Sequence, residues 1–226
     1  MPQSTVHLLR HGEVHNPQGI LYGRLPEFHL SELGRQMAQT AADYFAERAA
    51  QGANIVYLAA SPLTRAQETA LPTAQALNLE ITTEERIIEA ENHFEGLKVT
   101  KAELRKPRHW QHFINPLRPS WGEPYKAQAA RVMAAVHDAR LRATELAGAD
   151  FEERGAEAIL VSHQLPIWAT RLNAEGRPLW HDPRKRECTL TSVTSLVFDA
   201  DGSLLRVEYH EPAAALLPGA STTPGA

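Results

Sequence analysis

Short aliphatic runs alternate along the chain with longer stretches whose apolar positions recur every three or four residues. The runs predict strands at 4–9, 54–61, 79–82 and 157–163, and a hairpin at 192–209 with Asp201-Gly202 in its turn. The periodic stretches predict helices at 30–52, 63–77 and 165–173, and one from about residue 124. Strands that alternate with helices indicate an α/β fold, a three-layer α/β/α sandwich with a mostly parallel sheet.

The pattern predicts some details of these helices and one irregular region. Ser31 is expected to cap the first helix, and Pro72 should kink or divide the second. No domain boundary is evident, so residues 1–211 are predicted to form a single domain. Within it, the pattern is lost at about 93–123, which is rich in proline, tryptophan and basic residues. The last residues, 212–226, are rich in Ala, Pro and Gly and are expected to form a disordered tail.

Composition narrows the functional classes. The chain has 226 residues, 43% hydrophobic and 22% charged, with a net charge of −4, which argues against binding to nucleic acid or to an anionic membrane. The single cysteine, Cys188, excludes an intrachain disulfide, and the eleven histidines show no spacing typical of zinc ligands, so no metal site is predicted. With neither a signal peptide nor a long apolar run, we expect a cytoplasmic protein.

Polar side chains follow three of the predicted strands. Arg10-His11 ends the first, Ser61 ends the second with Arg65 just beyond, and Ser162-His163 ends the fourth. In a parallel sheet such groups gather at the carboxyl ends of the strands. Arginine holds tetrahedral oxyanions, and neutral imidazole is a nucleophile near pH 7. A lone histidine is more often structural, but the matching chemistry at several strand ends favours a phosphate pocket that contains a nucleophile.

Four motifs together resemble the histidine phosphatase superfamily, which includes cofactor-dependent phosphoglycerate mutases and small-molecule phosphatases. They are LLRHGEVHN, SPLTRAQETA, IIEAENHFEG and LVSHQLPI, and the resemblance spans roughly residues 4–210. It implies that His11 is the nucleophile that becomes phosphohistidine. It also implies that Arg10 and Arg65 bind phosphate, that His163 hydrogen-bonds the phosphoryl group, and that Asn16 lies in the pocket.

The resemblance also implies a carboxylate as proton donor, and IIEAENHFEG offers three. Glu89 follows Ile87-Ile88 as the acid of the family follows its apolar pair, so we prefer it to Glu91, whereas Glu95 fits the Glu-Gly pair that ends the motif. The arginines take the role of a cation, so neither a metal nor another cofactor is expected. One position departs from the family: Gln164 stands where glycine usually follows the second histidine. Its backbone amide is still expected to donate to phosphate, with its side chain at the rim of the pocket.

The family places specificity in insertions, so 97–123 is predicted to form a lid. The basic residues of this segment could bind a second anionic group. They are Lys98, Lys101, Arg105, Lys106, Arg108 and Arg118. Alternatively, the segment could be a solvated loop anchored by Trp110 and Trp121. We favour a phosphatase acting on a small phosphorylated metabolite. A phosphoglycerate mutase is the first alternative, and a non-catalytic phospho-ligand-binding protein is the second. The sequence allows a homodimer.

Overall fold

The computed structural model describes residues 2–113 and 121–220. In this part of the chain, six strands form one sheet: β1 (Ser4–Arg10), β2 (Ile55–Ala60), β3 (Ile81–Thr83), β4 (Ala156–Ser162), β5 (Val193–Phe198) and β6 (Leu204–His210). The α-helices are α1 (Glu32–Ala50), α2 (Thr64–Leu77), α3 (Lys101–Leu104), α4 (Tyr125–Ala147), α5 (Phe151–Arg154) and α6 (Gln164–Ala174). Short 3-10 helices lie at Glu85–Ile87, Pro107–Phe113, Gly148–Asp150, Pro183–Lys185 and Ala214–Gly219.

The strand order is β3-β2-β4-β1-β5-β6. The first four of these strands are mutually parallel, and β5 runs antiparallel to both of its neighbours. Helices cover both faces. Phe45 of α1 and Ala70 of α2 pack in one core, while Val136 of α4 and Ile167 of α6 pack in a second core on the other face. The predicted three-layer α/β/α sandwich with a mostly parallel sheet is therefore confirmed.

Most local predictions agree with the structure, and two differ. The Ser31 hydroxyl accepts a hydrogen bond from the Gly34 amide and caps α1, as expected. Helix α2, in contrast, continues through Pro72, so the proline does not divide it. The buried neighbours of the proline, Ala70 and Thr73, explain why packing overrides local preference there.

The second difference is at the C-terminus. Residues 212–226 were expected to be disordered, but Ala213 is buried and Ala214–Gly219 form a 3-10 helix close to α1. The apolar residues of this stretch thus find a surface to cover, which composition alone did not indicate. Residues 221–226 lie outside the described residues.

The 97–123 segment is partly helical. Thr100 caps α3 by accepting from the Glu103 amide, and the side chains of Lys106 and Arg108 both bind the Glu103 carboxylate. Trp110 is 61% exposed and so does not anchor the segment. Residues 114–120, which include Pro116, Arg118 and Pro119, lie outside the described residues. No helix in the described part of the chain is long and apolar enough to cross a membrane.

Candidate active site

The predicted strand-end residues meet at one edge of the sheet. Because β4 lies between β1 and β2, the chain leaves these three strands side by side. Arg10 is in register with Ser162, and the His11 amide donates to the Ser162 carbonyl at 3.1 Å. The Ser61 amide likewise donates to the Val161 carbonyl at 2.9 Å. Parallel pairing thus fixes the backbone on which the candidate groups stand.

His11 is fully buried, and one of its nitrogens is free. Its Nδ1 donates to the Gly12 carbonyl oxygen at 2.8 Å, which leaves the proton on Nδ1 and a lone pair on Nε2. Nε2 has no hydrogen-bond partner among the described residues. Burial, followed by the charges of Arg65 and Arg10, holds the pKa of His11 well below its ordinary value. The imidazole is therefore neutral and available as a nucleophile.

His163 faces His11, and the centroids of the two rings are 5.1 Å apart. Its Nε2 pairs with the Ser61 hydroxyl at 2.8 Å, whereas Nδ1 is unpaired in the described structure. With Ser61 as the donor, the proton of the neutral His163 ring is on Nδ1. Burial and then the charge of Arg65 lower the pKa of His163 well below its ordinary value.

Two buried guanidinium groups border the histidines. Arg10 donates from Nη1 to the Cys188 carbonyl at 2.7 Å, and Arg65 donates from Nη2 to the Gly23 carbonyl at 2.5 Å. The Nε atoms of both arginines lack a partner among the described residues. Such groups would complete their hydrogen bonding on an oxyanion such as phosphate.

Tyr22 supports Arg65 and was not predicted. The guanidinium carbon of Arg65 lies 4.7 Å from the centroid of the Tyr22 ring, which is buried. Burial raises the pKa of Tyr22, so its hydroxyl stays protonated beside the arginine. The loop 20–25 has no periodic pattern that would have marked this residue.

Glu89 is the buried carboxyl of the three candidates. Burial raises its pKa, although the Ala90 amide and the charges of Arg65 and Arg10 oppose the shift. Its Oε1 accepts from the Ala90 amide at 2.8 Å, and Oε2 has no partner among the described residues. A carboxyl whose pKa is raised toward neutrality suits proton transfer. Glu89 is therefore buried with one carboxyl oxygen free in the described structure, and its role as proton donor stays a prediction.

The other two carboxylates have different surroundings. Glu91 is 69% exposed and forms an ion pair with Arg24 at 2.9 Å. Glu95 accepts from the Arg24 amide at 2.7 Å. Arg24 also donates from Nε to the Glu89 carbonyl at 2.6 Å, so Glu91 and Glu95 help to hold the loop that presents Glu89.

Gln164 connects the site to a residue that sequence reasoning missed. Its side-chain amide donates to the Cys188 carbonyl at 3.3 Å and accepts from Arg186 at 3.3 Å. Arg186 is partly buried, and its positive charge acts to lower the pKa of Glu89. The glutamine that replaces the usual glycine thus helps to position a third arginine. The irregular stretch between α6 and β5 gave no signal for it.

Asn16 and Gly12 have local roles. The Asn16 amide group donates to the Ile20 carbonyl at 2.8 Å and accepts from the Ile20 amide at 3.3 Å. It would have to leave Ile20 to reach a bound phosphate, so its place in the pocket stays a prediction.

Gly12 lies so close to Gly34 that a Cβ atom on Gly12 would come within 2.6 Å of the Gly34 carbonyl oxygen. Glycine is needed there for close backbone packing.

Potential metal ligands do not cluster in the described structure. Across residues 2–113 and 121–220, no three His, Cys, Asp or Glu side chains converge in a way that could hold a metal ion. The positive charge at the site comes instead from Arg10, Arg65 and Arg186. The expectation of a metal-independent site stays a prediction.

Two proteins of known sequence are similar to most of this chain. A protein of Mycobacterium tuberculosis, named Uncharacterized protein Rv0525, is 50% identical over 217 residues, which cover 95% of this chain and 100% of that protein. Phosphoserine phosphatase 1 of Hydrogenobacter thermophilus is 30% identical over 167 residues, which cover 72% of each chain.

A solved structure superposes on this chain, and a protein-family model matches its sequence. The native structure of a mycobacterial glucosyl-3-phosphoglycerate phosphatase superposes with a TM-score of 0.70 at 25% identity and covers 92% of this chain and 99% of that one. The sequence pattern described as "Histidine phosphatase superfamily (branch 1)" matches residues 6–209, nearly the whole chain. The protein brings His11, His163 and two buried arginines together at one edge of its sheet. It belongs to the histidine phosphatase superfamily.

Proposed function

We propose that this protein hydrolyses small-molecule phosphate monoesters without a metal, through a phosphohistidine formed on His11. The observation that carries the proposal is the buried, neutral imidazole of His11 with an unpaired Nε2. Around it lie further buried atoms that also lack partners in the described structure, on Arg10, Arg65, Glu89 and His163. Buried polar atoms are rarely left unpaired unless a ligand completes them.

In the first step, Nε2 of His11 attacks phosphorus in line with the ester oxygen. The Nε2–P bond forms, the P–O bond breaks, and its electron pair stays on the departing oxygen. Arg10, Arg65 and the Nδ1–H of His163 bind the phosphoryl oxygens, whose charge spreads in the transition state. The Nδ1–H bond to Gly12 stabilises the imidazole as it gains positive charge.

Glu89 completes the cycle as acid and then as base. In its protonated form it delivers its proton to the departing oxygen, which leaves as an alcohol. The resulting carboxylate takes a proton from water as the water oxygen attacks the phosphohistidine. The Nε2–P bond breaks, inorganic phosphate forms, and Glu89 is again protonated.

Hydrolysis is favoured over phosphoryl transfer within the pocket. A mutase must keep water from its phosphohistidine while the substrate turns over. The part of the segment between β3 and α4 that spans 98–111, which includes α3, is mostly exposed to solvent. The names of two relatives, a phosphoserine phosphatase and a glucosyl-3-phosphoglycerate phosphatase, support the same choice for this chain.

The test follows both reactions at once. We expect purified protein in EDTA to release inorganic phosphate from p-nitrophenyl phosphate, and to carry acid-labile, base-stable phosphate after a rapid denaturing quench. With 3-phosphoglycerate and a trace of 2,3-bisphosphoglycerate, phosphate release should exceed isomerisation. Isomerisation at least about a hundredfold faster would assign a mutase, and activity lost to EDTA and restored by Mg²⁺ would contradict the mechanism.

A further inference from the structure

A cavity of about 480 Å³ opens beside Glu89. Volumes of this size are typical of sites for small organic ligands. Its walls are mostly apolar and come from the loops around Glu89, from α3, from the start of α4 and from α6. The apolar lining residues are Leu21, Ala90, Phe94, Val99, Leu104, Trp121, Tyr125, Leu165 and Pro183.

The cavity lies on the leaving-group side of the reaction. In the mechanism above, Glu89 protonates the ester oxygen that departs with the organic part of the substrate. Glu89 is itself a lining residue of the cavity, and so is Gly23, whose carbonyl binds Arg65. An ester whose phosphoryl group lies between the arginines and whose bridging oxygen faces Glu89 therefore directs its organic group into this cavity.

The charges at the cavity do not suit a second anionic group. Glu91 and Glu123 contribute carboxylates to its wall, and both form ion pairs with Arg24. Arg186 is the one Lys or Arg among the described lining residues, and its side chain donates to His181 and to Gln164.

The basic residues of the 97–113 stretch do not supply the missing charge. Lys106 and Arg108 bind Glu103, and Lys98, Lys101 and Arg105 are exposed and absent from the described lining residues. The role in anion binding considered for this stretch is therefore not supported by the described part of the cavity.

We propose that the substrate is the phosphate monoester of an apolar alcohol or phenol, and that its hydrocarbon or aromatic part lies in this cavity. The inference rests on the proposed phosphatase function and adds the substrate class. Burial of apolar surface on both sides of the interface would favour such esters over those of sugars or of hydroxy acids.

A series of n-alkyl phosphates isolates this effect. Propyl, butyl, hexyl and octyl phosphate have leaving groups of nearly equal basicity, so differences in kcat/KM report contacts of the alkyl chain. We expect kcat/KM to rise about two- to fourfold per methylene, as full or partial burial of a CH₂ group implies. 3-Phosphoglycerate and glucose 6-phosphate should both be poorer than hexyl phosphate. A flat series, or a preference for 3-phosphoglycerate over hexyl phosphate, would overturn the inference.

Matched variants test the place of the chain. Leu104 lines the cavity and Leu141 is exposed on the outer side of α4. Leu104→Gln should lower kcat/KM for octyl phosphate about tenfold and leave propyl phosphate nearly unchanged, whereas Leu141→Gln should change neither. Equal loss on both esters in Leu104→Gln would contradict the proposal.

Binding separates this proposal from the catalytic one. n-Alkylphosphonates have a C–P bond in place of the ester, so their affinity is measured without turnover. Calorimetry should show affinity rising from propyl- to octylphosphonate in the wild type and falling for octylphosphonate in Leu104→Gln. Esters that are hydrolysed without any chain-length effect would leave the phosphatase intact and reject the apolar substrate. If phosphonate affinity rises with chain length but the protein hydrolyses no ester, the apolar binding site stands and the phosphatase function is rejected.

Discussion

His7 and His11 are both buried, but their ring nitrogens are paired differently. His7 lies within β1, and both of its ring nitrogens are paired, Nδ1 with Ser195 at 2.8 Å and Nε2 with Glu157 at 2.9 Å. His11 follows the same strand and is equally buried, but its Nε2 has no partner in the described structure. Burial alone therefore does not distinguish these two histidines, whereas the pairing of their ring nitrogens does.

The carboxyl groups of the two clusters show the same contrast. Burial acts to raise the pKa of Glu157, but hydrogen bonds from His7 and Arg48 outweigh it and lower the pKa to about 2. Burial dominates at Glu89, and its pKa is raised. Glu157 thus stays ionised far into the acidic range and stabilises the fold, while burial favours the protonated form of Glu89.

The unpaired atoms concentrate at the site. Of eleven buried side-chain atoms without a partner in the described part of the chain, five belong to the candidate site: one each on Arg10, His11, Arg65, Glu89 and His163. Leaving such groups unpaired costs stability, on the order of 1–3 kcal/mol each. A fold retains this cost where a ligand recovers it, and the cluster around His7 shows that the same chain can pair such groups fully.

The largest effect on activity is expected in His11→Asn, for which His7→Asn is the matched control. His11→Asn should lower kcat on p-nitrophenyl phosphate at least about 10⁴-fold, because the group that forms the covalent bond is lost. It should also abolish the acid-labile phosphate on the quenched protein. His7→Asn should retain kcat within about threefold and unfold at lower urea concentration, since it breaks two buried hydrogen bonds.

This pair is informative because the two residues share a strand and a degree of burial. Steady-state kinetics and urea unfolding on the same preparations measure both effects. Comparable activity losses in the two variants would show that His11 acts only through the fold.

A smaller loss, dependent on substrate and pH, is expected in Glu89→Gln. Hexyl phosphate should be hydrolysed about 10²–10³-fold more slowly, because its alkoxide needs a proton, whereas p-nitrophenyl phosphate should lose less than about tenfold. Glu91→Gln is the matched control and should affect both substrates little.

The pH profile gives the sign of the two shifts. Hydrolysis of hexyl phosphate needs His11 neutral, so its rate falls only below the lowered pKa of His11. It also needs Glu89 protonated, so its rate falls as the pH rises above the raised pKa of Glu89. In Glu89→Gln the alkaline limb should disappear, while the ionisation of the ester itself is common to both proteins. An unchanged alkaline limb would assign the proton donor to another group.

The smallest expected effect is on the fold. Glu157→Gln should lower the free energy of unfolding by about 2–3 kcal/mol at pH 7 and leave kcat nearly unchanged. A carboxyl whose pKa is lower in the folded protein stabilises it above the unfolded pKa and loses that effect as the pH falls. The difference between wild type and variant should therefore shrink below about pH 4.5 and reach about half near pH 3. Urea unfolding at several pH values measures it; a difference that does not change with pH would assign the effect to packing.

The sequence predicts the sheet and the core of the site because both depend on short patterns. Aliphatic runs mark β1, β2 and β4, and the residues directly after them are placed by backbone pairing, so His11 and His163 follow from their positions. Even so, the sequence does not show that the ring nitrogens of His7 are both paired whereas one nitrogen of His11 has no partner in the described structure. That distinction depends on Ser195 and Glu157, which come from distant strands.

The parts of the site that were missed come from segments without periodicity. Tyr22 and Arg186 lie in loops whose paths are set by long-range contacts, to Arg65 and to Gln164 respectively. The basic residues of 97–113 gave an incomplete signal for anion binding, because local pairing with Glu103 occupies Lys106 and Arg108. The apolar cavity is likewise assembled from residues that no single stretch groups together.

The five unpaired atoms have a consequence for product release under the proposed function. Arg10, Arg65 and His163 would bind free phosphate through the same contacts as the phosphoryl group of an ester, so the product competes for the site as soon as it forms. A competing ligand lowers the fraction of enzyme open to substrate in proportion to its concentration over its dissociation constant. Turnover would then depend on the ratio of the ester concentration to that of inorganic phosphate, and not on the ester concentration alone. Inorganic phosphate around the enzyme would act as a competitive product inhibitor.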